Sequence, residues 1–159
     1  MIYKKYIQPK DSYFRAGAGF VLYNSQKEVL MFERSDKPGE FQLPQGGLDA
    51  GEDARTGALR ELFEETAINK DNLKDIYELP GFFTYEYPQE HAIGETYRGQ
   101  TQVWFAAQLK DGVIVDIEKA EDKEFVSYKW VAIEDISEQV IVFKQEMYRN
   151  IMSIVAQLL

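Results

Sequence analysis

The chain has 159 residues, 45% of them hydrophobic, and carries 27 acidic against 18 basic side chains, a formal net charge of −9. This size and apolar fraction predict one domain with a single core, and the lack of cysteine excludes disulfides, thiolate nucleophiles and cysteine-based metal sites. A single histidine, His91, excludes any site that needs two, and the acidity disfavours duplex DNA and other long nucleic acids, which bind basic surfaces.

The sequence also bears on location and domain organisation. No apolar run approaches the roughly 20 residues that a membrane-spanning helix needs, and residues 1–15 lack the apolar stretch of a secretory signal. We therefore expect a cytoplasmic protein without membrane partners. Because no repeat, low-complexity tract or long linker divides the chain, residues 1–159 are predicted to form one α/β domain.

The N-terminal half alternates short apolar runs with turn-forming residues, which is typical of β-structure. In chain order it predicts a β-hairpin over 19–23 and 29–33, a loop over 35–40, and a short extended piece over 41–45 that meets a Gly-Gly pair at 46–47. From Ala54 to Thr66 the apolar spacing changes to that of a helix.

The C-terminal half predicts further strands and then helix. Strands are expected over 76–87, 101–109 and 128–132. From residue 133 onward the apolar side chains recur at helical spacing, which predicts one long amphipathic helix or two short ones. These side chains are Ile136, Val140, Phe143, Met147, Ile151 and Ile154.

Acidic residues are concentrated over 46–68, where six acidic and two basic side chains give a net charge of −4. If the predicted helix forms, Glu61 lies one turn from both Glu64 and Glu65, so three carboxylates share one surface. Like charges at that spacing repel, and a hard cation such as Mg²⁺ would compensate them. A solvated acidic helix face is the alternative, and the three glutamates alone favour it.

The whole segment resembles the signature of the Nudix hydrolase family. That signature runs Gly, five residues, Glu, seven residues, then Arg-Glu-apolar-any-Glu-Glu-any-Gly-apolar. Its matched positions are Gly46, Glu52, Arg60, Glu61, Leu62, Glu64, Glu65 and Ile68. Ala67 stands where the family has glycine. If that residue must be left-handed at the helix C-terminus, alanine costs about 1 kcal/mol.

The resemblance implies a Nudix fold, an α/β/α sandwich with a central mixed β-sheet, and hydrolysis of phosphoanhydride bonds. It implies two or more Mg²⁺ ions per active site, with Mn²⁺ as a possible substitute. The implied catalytic and metal-binding residues are Gly46, Arg60, Glu61, Glu64, Glu65 and Glu124. In this family pattern Arg60 orients the carboxylates and Glu52 is its structural partner. The chemistry agrees, because carboxylate-held Mg²⁺ can neutralise phosphate charge and place a water without a covalent nucleophile.

Further motifs resemble the bacterial RNA pyrophosphohydrolases and the related dinucleoside polyphosphate hydrolases. They lie at 41–47 (FQLPQGG, with Phe41 for the usual Trp), 85–88 (YEYP), 97–105 (YRGQTQVWF), 124–131 and 142–148. This subgroup resemblance implies that Glu124 is a fourth carboxylate, either a metal ligand or the general base. A surface charge in the acidic run 118–124 is the alternative.

The same resemblance implies a substrate-binding set. Its members are Arg15, Arg34, Gln45, Tyr85, Phe143 and Lys144. The arginines and the lysine would face phosphates, and Phe143 would stack on a base. Ordinary surface cations, core packing of Phe143 and Tyr85, and hydrogen bonding of the glutamines to strand edges are the alternatives.

We therefore predict an Mg²⁺-dependent hydrolase that removes pyrophosphate from the 5′-triphosphate end of RNA. Alternative substrates are dinucleoside polyphosphates, such as diadenosine tetra- or pentaphosphate, and nucleoside triphosphates. A Nudix module that senses a nucleotide without hydrolysing it is a further alternative, which the intact glutamates disfavour. The net charge disfavours long RNA, but reading the first nucleotides needs only a local basic rim. Residues 1–45, with a net charge of +2, can contribute to one.

Overall fold

The computed structural model describes residues 5–8, 12–92 and 97–159. Within them, nine strands form one sheet. The strands are β1 (Lys5–Gln8), β2 (Ser12–Tyr23), β3 (Glu28–Arg34), β4 (Phe41–Gln42), β5 (Gln45–Gly47), β6 (Leu73–Glu78), β7 (Phe83–Glu86), β8 (Gly99–Leu109) and β9 (Phe125–Ala132). The helices are α1 (Ala54–Thr66), α2 (Gln89–Ala92) and α3 (Gln145–Val155), with 3₁₀ turns at Lys70–Asn72, Ile117–Lys119, Ile133–Gln139 and Val142–Lys144. The side chain of His91, in α2, lies outside what the structure describes.

The sheet is mixed, with strand order β4-β3-β2-β8-β6 along its main path. Strands β2 and β8 run parallel, from the pair Phe14 and Gly99 to the pair Tyr23 and Gln108. The other pairings are antiparallel, with β1 and β5 on β2, β7 on β8, and β9 on β3. This arrangement confirms the predicted central mixed sheet.

Both faces of the sheet are covered, which is why its central strands are apolar on both sides. On β2, Phe20 faces the α1 layer and Val21 the α3 layer. From the helices, Leu62 of α1 packs into the first layer, and Tyr148 and Ile151 of α3 pack into the second. The fold is therefore the α/β/α sandwich that the family resemblance implied.

The predicted hairpin is confirmed, although its two strands separate soon after the turn. Tyr23 and Val29 pair across it, and Lys27 closes the turn with a backbone N–H donated to Asn24 O at 3.1 Å. Beyond the turn β3 pairs with β9, while β2 pairs with β8 and β5. Strand β2 also begins at Ser12 rather than at residue 19, because its small buried residues gave little apolar signal.

The single strand predicted over 76–87 is wrong. Two strands, β6 and β7, lie there, and both pair with β8. Between them, Pro80 lacks the backbone N–H that a strand would use, and Gly81 has a φ of 87°, in the left-handed region. These two residues divide an apolar run that looked continuous.

The prediction of helix from residue 133 is correct only for its second half. The first half forms 3₁₀ turns at Ile133–Gln139 and Val142–Lys144, and α3 covers Gln145–Val155. Ile136 lies in the first turn and Val140 directly after it, and because tertiary packing buries both, their four-residue spacing imitates an α-helical stripe. In the part of the chain that the structure describes, no helix is both long and apolar enough to span a membrane.

Candidate active site

Helix α1 forms where the sequence predicted it because both of its ends are capped. The side chain of Asp53 accepts hydrogen bonds from the backbone N–H and the hydroxyl of Thr56, at 2.9 and 2.8 Å. At the other end Ala67 has a φ of 64°, and its N–H donates to Phe63 O at 2.9 Å. Ala67 is thus left-handed, so the expected cost of about 1 kcal/mol applies to this chain.

Arg60 is the centre of the carboxylate cluster on α1. Its Nε and Nη2 donate to the two oxygens of Glu52 at 2.7 and 2.9 Å, a bidentate pair. Its Nη1 donates to Glu61 at 2.9 Å and to Glu64 at 3.1 Å, and Nη2 also reaches Gly47 O at 3.0 Å. The hydrogen bond from Arg60 lowers the pKa of Glu52. Arg60 therefore fixes both the signature glutamate before the helix and two glutamates on it.

Glu65 differs from its neighbours because it is buried, with 4% of its surface exposed. Burial raises its pKa to about 9, and repulsion from Glu61 and Glu124 adds to the shift. One carboxylate oxygen accepts a hydrogen bond from the backbone N–H of Gln45 at 3.0 Å. Burial also raises the pKa of Glu61. A cation between these carboxylates would relieve both desolvation and repulsion.

The two glycines of β5 allow close approaches on which the cluster depends. A Cβ at Gly46 would collide with the carboxylate of Glu61, and one at Gly47 would collide with the guanidinium of Arg15. Arg15 comes from β2, which pairs with β5 at Gly17 and Gly47. Because successive residues of a strand face opposite sides of the sheet, Glu61 lies on the α1 side of β5, and the exposed Arg15 lies on the α3 side, where it interacts electrostatically with Tyr85.

Glu124 reaches the cluster from the loop before β9. Its carbonyl accepts from Ser35 N–H at 2.8 Å, and Asp122 N–H donates to Glu64 O at 2.9 Å, which ties the same loop to α1. The side chain is exposed, but its charge contributes to the raised pKa of Glu65. Glu124 is thus close enough to Glu65 to interact with it electrostatically, and it is also an exposed charge beside Glu121 and Asp122 of the acidic run.

Beside the carboxylates lies a cavity of about 250 Å³, the Lys144 pocket. Its lining residues are Arg34, Lys37, Gln42, Gln45, Tyr85, Tyr87, Gln100, Glu124, Ile141, Phe143 and Lys144. Five of the six predicted substrate-binding residues are among them, together with Glu124. Arg15 is not in this lining. It lies against Gly47 and interacts electrostatically with Tyr85 of the lining.

Lys144 is buried in the wall of this pocket, with 7% of its surface exposed. Burial and then repulsion from Arg34 lower its pKa to about 8. Its Nζ lies 5.0 Å from the centre of the Tyr85 ring. A buried ammonium facing a cavity is ready to bind an anion, because an anion would compensate its desolvation.

Phe143 belongs to both the core and the pocket. Its ring lies 5.7 Å from that of Tyr85 and 6.3 Å from that of Tyr87, so the three rings form one aromatic wall. The ring is half-buried and packs against the core on the α3 side of the sheet. Core packing and contact with a base, the two alternatives for Phe143, are therefore compatible.

Of two basic residues that line the pocket, Arg34 was predicted from the sequence and Lys37 was not. Arg34 is held by Asp36 through hydrogen bonds of 3.0 and 2.8 Å, and its Nη1 lies 3.6 Å from Glu40. Lys37 lines the pocket from the 35–40 loop, and the sequence analysis missed it. The available signal was its position in the loop that directly follows Arg34.

The glutamines form a buried chain rather than bonding to strand edges. Gln102 Nε2 donates to Gln45 at 2.6 Å and to Gln100 at 2.9 Å, and its oxygen accepts from Trp104 Nε1 at 2.9 Å. Gln100 Nε2 in turn donates to the hydroxyl of Tyr87 at 3.3 Å. This network links the pocket wall to a tryptophan in the core and fixes its polar groups.

Comparison with known proteins agrees with this geometry. The family model of the NUDIX domain matches residues 13–151. The chain belongs to the Nudix hydrolase family. An RNA pyrophosphohydrolase of Pelagibacter ubique is 38% identical over 91% of this chain and 93% of its own length. One from Bartonella bacilliformis is 35% identical over 87% of this chain and 89% of its own.

Solved Nudix structures support the same fold. An E. coli dihydroneopterin triphosphate pyrophosphohydrolase superposes with a TM-score of 0.69 at 21% identity, covering 86% of this chain and 93% of that one. A C. elegans Ap4A hydrolase gives a TM-score of 0.64 at 23% identity, covering 89% and 98%. At these identities the likeness establishes the fold alone.

As a Nudix hydrolase, this enzyme hydrolyses phosphoanhydride bonds, and such hydrolases generally depend on divalent metals. Among the described residues, no three carboxylates already converge as a formed metal site. Arg60 instead engages Glu61 and Glu64. The donor set nevertheless fits a hard divalent ion, because it consists of carboxylates, and burial together with repulsion between them raises the pKa values of Glu61 and Glu65.

Proposed function

We propose that this Nudix hydrolase removes pyrophosphate from the 5′-triphosphate end of RNA and leaves a 5′-monophosphate. The observation that carries the proposal is the direct adjacency of the carboxylate cluster and the Lys144 pocket. One side of the site offers oxygen ligands for metal, and the other offers cations for phosphates and an aromatic wall for a base. The names of the two bacterial relatives support the same substrate.

We assign the metal to Mg²⁺, with Mn²⁺ as a possible substitute and two or more ions per site. The residues that would hold it are Gly46, Glu61, Glu64, Glu65 and Glu124. Bound ions supply charge neutralisation on the phosphates and a water of lowered pKa. Arg60 orients Glu61 and Glu64, and the general base is one of Glu61, Glu65 and Glu124, all of which lie at the site.

The remaining roles follow from position. Arg15, which lies against Gly47 and interacts with Tyr85, and Arg34 and Lys144 in the pocket would neutralise the triphosphate, with Lys37 as a further cation in the pocket. Phe143 and Tyr85 would contact the base. Gln45 holds Glu65 through its backbone and the pocket network through its side chain.

The substrate class is tested by comparing kcat/KM on triphosphorylated short RNA, diadenosine tetraphosphate and the four nucleoside triphosphates, at the same salt and Mg²⁺ concentrations. The proposal expects RNA to be the best substrate. The second candidate, a dinucleoside polyphosphate hydrolase, rests on the motifs at 41–47 and 97–105, which resemble that subgroup as well. If RNA is the poorest of the three classes, the better of the other two, dinucleoside polyphosphates or nucleoside triphosphates, replaces the proposal.

Location and partners follow from the substrate. Primary transcripts and nucleotides are intracellular, so the proposal carries with it the cytoplasmic location expected from the sequence. The cations face one pocket within a chain of net charge −9. This distribution suits one phosphorylated end and does not suit duplex DNA or a membrane surface.

A further inference from the structure

A buried chain of polar side chains runs from the core of the molecule to the wall of the Lys144 pocket. Trp104 and Gln102 are fully buried on β8, two residues apart and therefore on the same side of the sheet. Gln102 bonds Trp104 at one end of its amide and both Gln45 and Gln100 at the other. Gln45 and Gln100 line the pocket, whereas Gln102 and Trp104 lie behind that lining.

The indole of Trp104 sets the direction of the hydrogen bonds in this chain. An indole N–H can only donate, so the Gln102 atom that lies 2.9 Å from Trp104 Nε1 must be the amide oxygen. The amide nitrogen of Gln102 therefore faces the other way, and its two hydrogens go to the oxygens of Gln45 at 2.6 Å and Gln100 at 2.9 Å. Both pocket glutamines are thus held by their oxygens, which leaves their NH₂ groups to face elsewhere.

Close packing fixes the indole that sets this direction. A Cβ at Gly19 would collide with the Trp104 ring, so glycine is what lets the ring lie against β2. Tyr148 of α3 packs against the indole with its ring centre 5.8 Å away. If the Gln102 amide turned round, the buried Trp104 N–H would lose its acceptor, which costs more than a solvated donor would. The orientation of Gln102 is therefore determined from the core outward.

The two pocket glutamines differ in what their NH₂ groups have left to do. Gln100 Nε2 donates to the hydroxyl of Tyr87 at 3.3 Å. In the part of the chain that the structure describes, Gln45 Nε2 donates to no protein acceptor. The backbone N–H of Gln45 donates to Glu65 at 3.0 Å, so this residue joins the carboxylate cluster to the pocket. An uncommitted amide donor is thus available at that junction.

We propose that Trp104 and Gln102 are positioning residues that hold the Gln45 amide with its NH₂ group toward the Lys144 pocket, where it donates to a phosphate oxygen of the substrate. Ionised phosphate oxygens only accept hydrogen bonds, so a Gln45 amide turned round would present oxygen to oxygen. Lys144 supplies charge, whereas Gln45 supplies a donor of fixed direction. This inference rests on the proposed function only through the polyphosphate, which RNA ends and nucleotides share.

The experiment is a double-mutant cycle in which kcat and KM are measured on the best substrate of the panel described above. Gln45→Met removes the donor and should lower kcat/KM about tenfold, mainly through KM, because the bond already forms in the bound substrate. Gln102→Met leaves Gln45 in place but releases its amide, and should lower kcat/KM about fivefold. Because Gln102 acts through Gln45, the double variant should be no slower than Gln45→Met alone.

Thr101→Val is the matched control, because Thr101 lies between Gln100 and Gln102 on β8 and faces the opposite side of the sheet. Its buried hydroxyl bonds that of Thr84 at 3.0 Å, so this variant also removes a hydrogen bond from β8 but should keep kcat and KM. If Gln102→Met keeps the wild-type KM, or if the two losses multiply in the double variant, the positioning role is overturned.

Gln45→Glu keeps the test decisive if Gln102→Met does not fold, because it changes no core side chain. With Gln102 still bonded to one carboxylate oxygen, the other oxygen replaces the NH₂ group, and kcat/KM should fall below that of Gln45→Met. Activity equal to that of Gln45→Met or higher would overturn the inference. A wild type that hydrolyses nucleotides but not RNA would instead refute the proposed RNA substrate, and the same variants would then test the role of Gln45 on the nucleotide.

Discussion

At the scale of single residues, Arg60 links three of the site's carboxylates through its hydrogen bonds. Its guanidinium holds Glu52 bidentately and bonds Glu61 and Glu64 from one further nitrogen. A lysine has no planar fork and cannot make these contacts together. Arg60 therefore sets the positions from which the carboxylates would take up metal.

Arg60→Lys is expected to lower kcat/KM at least 100-fold and the free energy of unfolding by about 2 kcal/mol, because charge-assisted hydrogen bonds of this kind contribute roughly that much. Arg55→Lys, an exposed position on the same helix, is the control and should change neither. Steady-state kinetics and urea denaturation measure the two effects. Wild-type activity in Arg60→Lys would show that the hydrogen bonds of Arg60 are not needed for catalysis.

Lys144 is expected to lower the stability of the fold while it contributes to substrate binding. Its pKa falls from 10.5 to about 8 through burial and then Arg34. At 1.36 kcal/mol per pKa unit this corresponds to about 3 kcal/mol of destabilisation when the group is charged. Lys144→Met should therefore raise the free energy of unfolding at pH 7 by up to that amount, and lower kcat/KM on RNA at least tenfold. Exposed Lys110→Met should do neither.

The pH dependence of that stability gain has a definite sign. Because the folded-state pKa of Lys144 lies below its unfolded value, the unfolded chain binds more protons between pH 8 and 10.5. The destabilisation by charged Lys144 is full below pH 8 and disappears as the pH rises toward 10.5. The stability difference between Lys144→Met and wild type should shrink across this range in urea denaturation. A difference that stays constant up to pH 10 would contradict the lowered pKa.

At the scale of elements, the sequence predicted α1 to the residue and the C-terminal segment poorly. Helix α1 has a capping Asp53 and one regular apolar side, so local information suffices. The segment from Ile133 onward owes its apolar spacing to tertiary burial of 3₁₀ turns, which local spacing does not distinguish from helix. In the site, spacing grouped Glu61, Glu64 and Glu65 on one surface of α1 and the family resemblance implied their role, whereas Lys37 comes to the pocket through the fold.

The C-terminus of α1 supplies the prediction at this scale. Because Ala67 is left-handed, Ala67→Gly should raise the free energy of unfolding by about 1 kcal/mol. Ala156 ends α3 with a right-handed φ of −57°, so Ala156→Gly is the matched control and should be neutral or destabilising. Thermal and urea denaturation compare the two. Equal effects at both positions would argue against strain at Ala67.

At the scale of the whole molecule, the net charge of −9 conceals a separation of charge. The acidic residues of α1 and the loop before β9 form one side of the site, and Arg34, Lys37 and Lys144 line the pocket on the other. A backbone hydrogen bond from Ser35 N–H to Glu124 O holds the two sides together. The Arg15 side chain lies against Gly47 of β5. The fold therefore faces the carboxylates of the proposed metal site toward the cations of the proposed phosphate site, as hydrolysis of a polyphosphate requires.

The most direct test of the account is the Mg²⁺-dependent release of pyrophosphate from triphosphorylated RNA by wild type and Glu64→Gln. Glu64 bonds Arg60 on a part-exposed face of α1, so the variant should fold. Glu138→Gln, an exposed glutamate far along the chain, is the control. We predict release by wild type and by Glu138→Gln, and a loss of at least 1,000-fold in Glu64→Gln with unchanged thermal stability. Undiminished release by Glu64→Gln would contradict the assignment of catalysis to the α1 carboxylates.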